Sequence, residues 1–488
     1  MQKSLLKNSI FNIIYTVSNI LFPFVTSIYV SRILLPAGVG KVAGAQNLAS
    51  YFVTLAALGL PSYGVREFAK VRDNIERKNT LFTELFIINL ISTTISLIAY
   101  SGFLICNNGF NNEWTLYICC GLTILFNYLN IDWIYQGLEE YGYITGRSIA
   151  IKSITIVLLI ILVKTKEDYV IYALLTSLAL GGNYIFNVIH AHKIVKFSFN
   201  ELNIKRHIKP VAIIAGIIFM STIYNKVDVT MLKMLSTDEA IGYYSYAQKT
   251  INIVLTMCSA VTATFLPRLS YYYENDKNGF YRLFNKGFQI LCLGVIPLAI
   301  GLFLIAHQAV LVLYGTDFVQ TGETIRLMCP LILIKGFGDL LCYQLAYSSK
   351  NERILLPASA LASVINIIAN AILIPVYSQN GAVIASVLSE LVTNMIQFAF
   401  LKRKVKYCFE IKAIVLAIVS SFVMTICVLT IMKLKVSLAI ILIAEIVLGG
   451  LSYFIMNLFM QNQVMIELLS KVFGKFKKKI NIGKNKMK

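Results

Sequence analysis

The chain alternates between apolar stretches of about 20 residues and short polar connections. About 20 mainly apolar residues are needed for a helix to cross the hydrocarbon core of a membrane. Read with a window of about 19 residues, the pattern predicts fourteen membrane-spanning helices, numbered here as spans 1 to 14. They start near Ile10, Val42, Leu81, Trp114, Ser148, Tyr169, Val211, Ile241, Phe288, Thr324, Ile354, Gly381, Ala413 and Ser437. The pattern therefore predicts an all-α polytopic membrane protein with no separate soluble domain.

The distribution of Lys and Arg predicts the orientation of the spans, because short cytoplasmic connections are enriched in these residues. If the N-terminus is cytoplasmic, the two termini and the connections after even-numbered spans hold 32 of the 44 Lys and Arg residues. The connections on the opposite side hold only 6. Both termini are therefore predicted to be cytoplasmic, and the alternation supports fourteen spans.

A sequence element at the start of span 2 recurs 202 positions later, at the start of span 8. The matching residues are Gly40, Ala45 and Gln46 in the first copy and Gly242, Ala247 and Gln248 in the second. Six spans separate the copies, so both copies enter the membrane in the same sense. This predicts two six-helix lobes related by a pseudo-two-fold axis along the membrane normal. The lobes cover residues 1–210 and 211–411, and residues 412–488 add spans 13 and 14 and a basic cytoplasmic tail.

Composition supports a membrane protein and argues against a soluble domain, a nucleic-acid-binding protein and a metalloprotein. Of the 488 residues, 57% are hydrophobic and 14% are charged, whereas a soluble domain carries about 25% charged residues. The net charge of +20 comes from short runs between apolar stretches, which do not form a basic domain for nucleic acid. Nine cysteines without a CxxC pair give no metal site, and phosphate-loop or catalytic motifs are absent from the sequence. No catalytic residue, metal or cofactor is predicted.

The tail from Glu467 to Lys488 mixes apolar residues, among them Val472, Phe473, Phe476 and Ile480, with eight lysines. This composition suits a short helix on the inner leaflet or a disordered polybasic end, and both interpretations stay open.

Ionisable residues inside spans are the main functional signal, because each costs about 2.5 to 3.5 kcal/mol on insertion scales and usually faces a wet cavity or the bundle interior. Span 7 contains Asn225, Lys226 and Asp228. Lys226 and Asp228 are two positions apart on a helix and cannot easily pair with each other. Lys226 is interpreted as a substrate contact in a cavity or as the partner of an acid on another span, and Asp228 as a candidate for ion coupling.

Span 8 begins with an aromatic and amide-rich segment that includes Tyr246, Gln248 and Lys249. Aromatic rings and amides suit a sugar ligand, whereas tyrosines also occur in interfacial belts. Lys249 lies deeper and fits the belt interpretation less well.

Other charges inside or next to spans allow a functional and a structural interpretation. Lys335 and Asp339 are four positions apart in span 10, a spacing that favours an ion pair within the helix. Asp132 lies near the cytoplasmic end of span 4, and Asp132 and Asp339 are further candidates for ion coupling. Arg32 and Lys41 flank a short outer connection and are candidate phosphate contacts at an outer gate. Weaker candidates are four further charged residues inside spans, Glu84, Lys152, Glu390 and Glu445.

Three tracts resemble the bacterial polysaccharide flippase family, which belongs to the multidrug, oligosaccharidyl-lipid and polysaccharide exporter superfamily. They are Leu129-Asn-Ile-Asp-Trp-Ile-Tyr-Gln-Gly-Leu-Glu139, Tyr29-Val-Ser-Arg-Ile-Leu-Leu-Pro-Ala-Gly-Val-Gly40 with Ala45 and Gln46, and Gly242-Tyr-Tyr-Ser-Tyr-Ala-Gln248. The resemblance covers the whole chain and implies a MATE-like arrangement of the lobes.

The resemblance also implies a function. Undecaprenyl-pyrophosphate-linked oligosaccharide repeat units would move from the inner to the outer leaflet of a bacterial cell (inner) membrane by alternating access, for capsule, O-antigen or a similar polysaccharide. Carried over by position, it indicates Lys226 and Lys249 as cavity cations, Asp228 and Asp132 as coupling residues, H⁺ or Na⁺ as coupling ions, and a polysaccharide polymerase and co-polymerase as candidate partners. Span 1 departs from the family pattern. It contains no charged residue, whereas related lipid-precursor flippases often have Arg there and drug-exporting relatives often have a carboxylate there.

Two other function classes remain open from the sequence. A cation-coupled multidrug antiporter of the same fold would need buried acids for cationic drugs, whereas spans 7 and 8 contain two deep lysines and one acid. A membrane scaffold without transport would not need unpaired charges inside spans. The flippase interpretation is therefore preferred to both.

Overall fold

The computed structural model describes residues 5–107, 113–405, 410–467 and 469–470, and within them it contains helices and no strand. Ten helical segments of the described chain are long and apolar enough to cross a membrane. This confirms the predicted fold class, an all-α polytopic membrane protein. Most of the predicted basic tail, residues 471–488, lies outside the described residues.

Internal contacts divide the chain into two compact units, Met1–Ser245 and Tyr246–Lys488. The helices of the first unit are α1 (Leu5–Ala57), α2 (Leu60–Val71), α3 (Ile75–Cys106), α4 (Trp114–Phe126), α5 (Asp132–Gly137), α6 (Tyr141–Leu162), α7 (Tyr169–Ala191) and α8 (Lys205–Leu235). Helix α9 (Asp238–Ala263) begins in the first unit and continues in the second. Single 3₁₀ turns at Asn127–Leu129 and Lys166–Asp168 precede α5 and α7.

The second unit continues with seven more helices. They are α10 (Leu266–Asn275), α11 (Lys277–Leu313), α12 (Val319–Gly338), α13 (Leu345–Ser348), α14 (Leu355–Lys404), α15 (Ile411–Ile431) and α16 (Leu438–Phe459). A π-helical turn, Asp339–Gln344, joins α12 to α13. The predicted lobe boundaries at 210 and 411 stay a prediction.

Helices α1 and α14 are each two helices joined at a kink. A straight helix of 53 residues, the length of α1, would be about 80 Å long, whereas the hydrocarbon core is about 30 Å thick. The break in α1 falls at Leu35, with φ 57°, and the break in α14 falls at Ser378, with φ 53°. The two parts of α1 carry spans 1 and 2, and the two parts of α14 carry spans 11 and 12. Counting these parts separately and adding the shorter helix α4, which has 13 residues, and the less apolar α12 gives the predicted fourteen.

The repeated glycines lie where two helices cross with their backbones in contact. A Cβ at Gly40 would overlap the carbonyl oxygen of Asp238, and a Cβ at Gly242 would overlap the carbonyl oxygen of Pro36. Pro36 and Asp238 are themselves 202 positions apart, so the two contacts exchange under the repeat offset, as they do across a two-fold axis. Any other residue at 40 or 242 would push the two segments apart.

The Asp-Trp-x-Tyr-Gln-Gly tract lies in the core of the first unit. The Trp133 and Tyr135 side chains are fully buried. A Cβ at Gly64 would lie 2.8 Å from the Trp133 ring, and the Phe68 ring packs edge-on against it at a centroid distance of 5.0 Å. The most specific tract of the sequence therefore serves packing, and it holds Asp132 at the first residue of α5.

Candidate functional site

Helix α8 carries the predicted residues of span 7. The Asn225 amide is exposed and donates to the backbone carbonyl of Ser221 at 2.7 Å. The Lys226 side chain is half-buried, and its ammonium has no hydrogen-bond or ion-pair partner in the described part of the chain. Asp228 is buried and accepts a hydrogen bond from the Tyr244 hydroxyl of α9 at 2.6 Å. Lys226 is thus a cation at membrane depth without a neutralising acid.

The second part of α1 holds the backbone of α8 around Lys226. The Asn47 amide donates to the Lys226 carbonyl at 3.2 Å and to the Thr230 hydroxyl at 2.8 Å. The Tyr51 hydroxyl lies 2.8 Å from the same Thr230 hydroxyl. Asn47 and Tyr51 are four positions apart, on one face of a helix. This polar spacing in span 2 was visible in the sequence, but its contact with α8 was not.

Lys249 and Tyr246 of α9 belong to the second unit. The Lys249 ammonium lies 4.7 Å from the centroid of the Tyr246 ring. That ring is buried and stacks on Phe318 at 4.8 Å, with Tyr314 at 4.7 Å. Gln248, which lies between Tyr246 and Lys249 in the sequence, is half-buried. A cation on an aromatic face keeps its charge for a ligand, since the ring quadrupole attracts the cation without neutralising it.

Lys226 and Lys249 lie in different units. The common cavity predicted for them stays a prediction.

The two candidates of the outer connection differ in their surroundings. Arg32 is exposed. The Lys41 ammonium pairs with the Glu113 carboxylate at 2.6 Å and lies 4.9 Å from the centroid of the Tyr169 ring. The Tyr169 hydroxyl also donates to Glu113, at 2.9 Å. Lys41 therefore joins three helical regions of the first unit, and a role in phosphate contact stays a prediction for both residues.

Asp132 lies in a polar network of the first unit. Its carboxylate accepts hydrogen bonds from the Asn187 amide and from the Arg147 guanidinium, the latter at 3.4 Å. The Arg147 side chain is only 6% exposed, and its Nε and Nη1 atoms are buried without a partner among the described residues. The pairing of Asp132 with Arg147, 15 positions later, was not predicted from the sequence.

Asp339 opens the π-helical turn of the second unit and accepts a hydrogen bond from the Thr262 hydroxyl. Lys335 pairs with Glu390 of α14 at 2.8 Å. The predicted ion pair between Lys335 and Asp339 is therefore wrong. The turn widens the helix from Asp339 onward, and partners on neighbouring helices satisfy each charge instead.

The second unit also contains an apolar cavity with a volume of about 440 Å³. Helices α11, α12, α14 and α15 contribute its walls, and Asn394 is a polar side chain among the apolar lining. Its residues include Phe288, Ile296, Phe337, Leu391 and Phe398. Such a lining can accept an alkyl or isoprenoid chain and offers little to a charged group.

Comparison with known proteins places these features in a family context. The profile of the family described as "Polysaccharide biosynthesis protein" matches residues 5–273. A candidate O-antigen transporter of Escherichia coli (strain K12) is 22% identical over 372 residues, which cover 74% of this chain and 88% of that protein. The "Probable low-salt glycan biosynthesis flippase Agl15" of Haloferax volcanii is 22% identical over 202 residues, 41% of this chain and 43% of the relative.

Solved structures share the fold. The structure described as "Lipid II flippase MurJ, inward closed conformation" superposes with a TM-score of 0.67 at 18% identity, covering 91% of this chain and 100% of that chain. An inward-facing multidrug resistance MATE family transporter of the MOP superfamily gives a TM-score of 0.61 at 14% identity, covering 79% and 94%. The predicted MATE-like fold class is therefore confirmed.

Proposed function

The chain belongs to the polysaccharide biosynthesis protein family, and we propose that it is a flippase for lipid-linked oligosaccharides. Family membership confirms the resemblance predicted from the tracts around Trp133 and Gly242. The proposed substrate is an undecaprenyl-pyrophosphate-linked repeat unit that moves from the inner to the outer leaflet, for O-antigen, capsule or a similar glycan. The protein then acts as a transporter and not as an enzyme.

The observation that carries this proposal is that two lysines, Lys226 and Lys249, have no acidic partner among the residues that the structure describes. A diphosphate with sugars has to cross about 30 Å of hydrocarbon, and an ammonium at depth lowers that barrier by pairing with phosphate. Lys226 offers an ammonium without a partner in the described chain, and Lys249 offers one that rests on an aromatic ring.

Other features are consistent with the same substrate. The apolar cavity of the second unit offers a surface for a lipid tail. The O-antigen transporter and the glycan flippase named above are relatives in sequence. We propose the bacterial inner membrane as location, with both termini in the cytoplasm, and a polysaccharide polymerase and co-polymerase as protein partners. Coupling to H⁺ or Na⁺ through Asp228, Asp132 or Asp339 is part of the same proposal.

The test is export of surface glycan in a strain that lacks its own flippase. The native chain should restore export. The double variant Lys226→Ala and Lys249→Ala should accumulate inner-leaflet lipid-linked repeat units and lose export by about a hundredfold or more, because a hydrogen bond to a charged group is worth about 1.5 to 3 kcal/mol.

A matched control replaces two lysines that already have acidic partners. Lys233 pairs with Asp238 at 2.5 Å on the first unit, and Lys286 pairs with Glu467 at 2.5 Å on the second. The double variant Lys233→Ala and Lys286→Ala should keep export within a few-fold of the native level. If no version restores glycan while the native chain raises drug resistance, the antiporter alternative replaces this proposal.

A further inference from the structure

Glu445 is a buried acid in the middle of α16. Its side chain is 1% exposed, and both carboxylate oxygens are buried without a hydrogen-bond partner among the described residues. An ionised carboxylate without donors is very costly in apolar surroundings, and such groups bind a proton instead. The position therefore stabilises the neutral acid.

The surroundings of Glu445 are the packed faces of three helices of the second unit. Helix α16 packs against α11 and α15. A Cβ at Gly449, one turn from Glu445 on the same face, would lie 2.9 Å from Val428 of α15, and Tyr453 donates to the Leu293 carbonyl of α11 at 2.8 Å. An apolar cluster of Met424, Val428 and Tyr453 with Ile300, Leu304 and Met432 fills this interface. Glu445 thus lies on the face that closes a dry three-helix core.

The charged and titratable side chains of these helices do not reach Glu445. They are Lys277, Tyr281, Arg282, Lys286, Cys292 and His307 on α11, Lys412 and Cys427 on α15, Lys433 and Lys435 in the connection from α15 to α16, and Tyr453 on α16. Lys286 pairs with Glu467, and the backbone of His307 faces Gly322 of α12. None of them forms a hydrogen bond or ion pair with Glu445, so no cation among the described residues neutralises the acid.

The other acids inside spans have donors. Asp228 accepts from Tyr244, and Asp339 accepts from Thr262. Asp132 and Glu390 each contact a cation. Glu445 therefore differs from every residue predicted to couple transport to an ion.

We propose that Glu445 is a proton-binding site of the helix pair α15–α16, and that release of its proton is linked to opening of the interface with α11. The neutral acid fits the dry interface. The ionised acid requires water, so α16 separates from its neighbours or admits water when the proton leaves. The site needs no glycan to bind its proton, and this inference is independent of the proposed function.

Infrared spectroscopy of the purified full chain in nanodiscs tests proton binding. Native protein should show a carboxylic-acid C=O band at pH 7, where an ordinary glutamate with a pKa of about 4.3 is ionised. Glu445→Gln should lose this band, and Asp339→Asn, the matched control at a partnered acid, should keep it. A native spectrum without the band, or a band that survives in Glu445→Gln, would overturn the proposal.

Hydrogen exchange tests the linkage. If only the open interface carries the ionised acid, its population rises by about tenfold per pH unit as the pH increases. Exchange of α15 and α16 in the native protein should therefore rise with pH more steeply than in Glu445→Gln, which keeps a neutral side chain of the same shape. Equal pH dependence in the two proteins would overturn the linkage. Both measurements are made without glycan, so they can succeed or fail separately from the export assay.

Discussion

A half-buried acid, Asp132, and a fully buried acid, Glu445, lie in opposite surroundings. Asp132 of the first unit accepts hydrogen bonds from Asn187 and Arg147, whereas Glu445 of the second unit has no donor in the described chain. In sequence the two look alike, as single acids among apolar residues. The two acids differ in whether side chains of other helices donate hydrogen bonds to them.

The surroundings of Asp132 and Glu445 represent two ways in which a membrane protein can hold an acidic side chain. A network such as that of Asp132 fixes helices in one arrangement, because each member would be left uncompensated if another were removed. Glu445 has no hydrogen-bond partner among the described residues. Its burial therefore depends on the proton that the carboxyl group carries. The first arrangement suits a fixed support, and the second suits a position that changes state.

Removing the acid from the network is expected to have the largest effect. Asp132→Leu leaves the buried Arg147 guanidinium without its carboxylate, and breaking a buried pair in this way costs about 3 to 5 kcal/mol. The free energy of unfolding, measured by SDS titration in mixed micelles at pH 7, should fall by that amount.

Two further variants separate charge from packing at this position. The double variant Asp132→Leu and Arg147→Met should recover most of the loss, since no uncompensated ion remains. Asp73→Leu, at an exposed acid, should change stability by less than about 0.5 kcal/mol. A loss below about 1 kcal/mol for Asp132→Leu alone would show that the network does not hold the first unit together.

Most of the fold could be predicted from the sequence because its cause is local. Spans follow from the length of apolar stretches, whereas the orientation inferred from Lys and Arg in short connections stays a prediction. The repeat of Gly40 and Gly242 was visible as well. Their mutual backbone contact with Asp238 and Pro36 was not, because it depends on how two distant segments cross.

The candidate site was predicted less completely, since its partners are distant in sequence. Lys226, Lys249 and Asp132 stand out because ionisable groups are rare inside spans. Arg147 did not stand out, because its position at the end of a span resembles an ordinary cytoplasmic residue. Lys335 was predicted to pair with Asp339 on its own helix, but its partner is Glu390 of α14. Periodicity identifies residues on one helix face and carries no information about the next helix.

A second variant removes one hydrogen bond from a partnered acid, Asp228. Tyr244→Phe removes the hydroxyl that donates to Asp228 at 2.6 Å and keeps the buried ring. Loss of a hydrogen bond to a charged group should lower the free energy of unfolding by about 1.5 to 3 kcal/mol. The control Tyr377→Phe removes a hydroxyl from an exposed tyrosine and should have no measurable effect. If both variants are equally stable, the Tyr244 hydroxyl contributes nothing to holding Asp228.

The smallest effect is expected at Glu445 itself, and its sign carries the information. Glu445→Leu replaces a bare acid by an apolar side chain in a core that already contains Met424 and Val428. No polar bond is lost, and burial of an unpartnered polar group is removed, which is worth about 1 kcal/mol or more in protein cores. The free energy of unfolding at pH 7 should therefore stay unchanged or rise by about 1 kcal/mol. A fall of more than about 1 kcal/mol would mean that donors stabilise Glu445 as they do Asp132. The contrast between the two acids would then disappear, and with it the reason to treat the helix pair α15–α16 as the part that responds to protons.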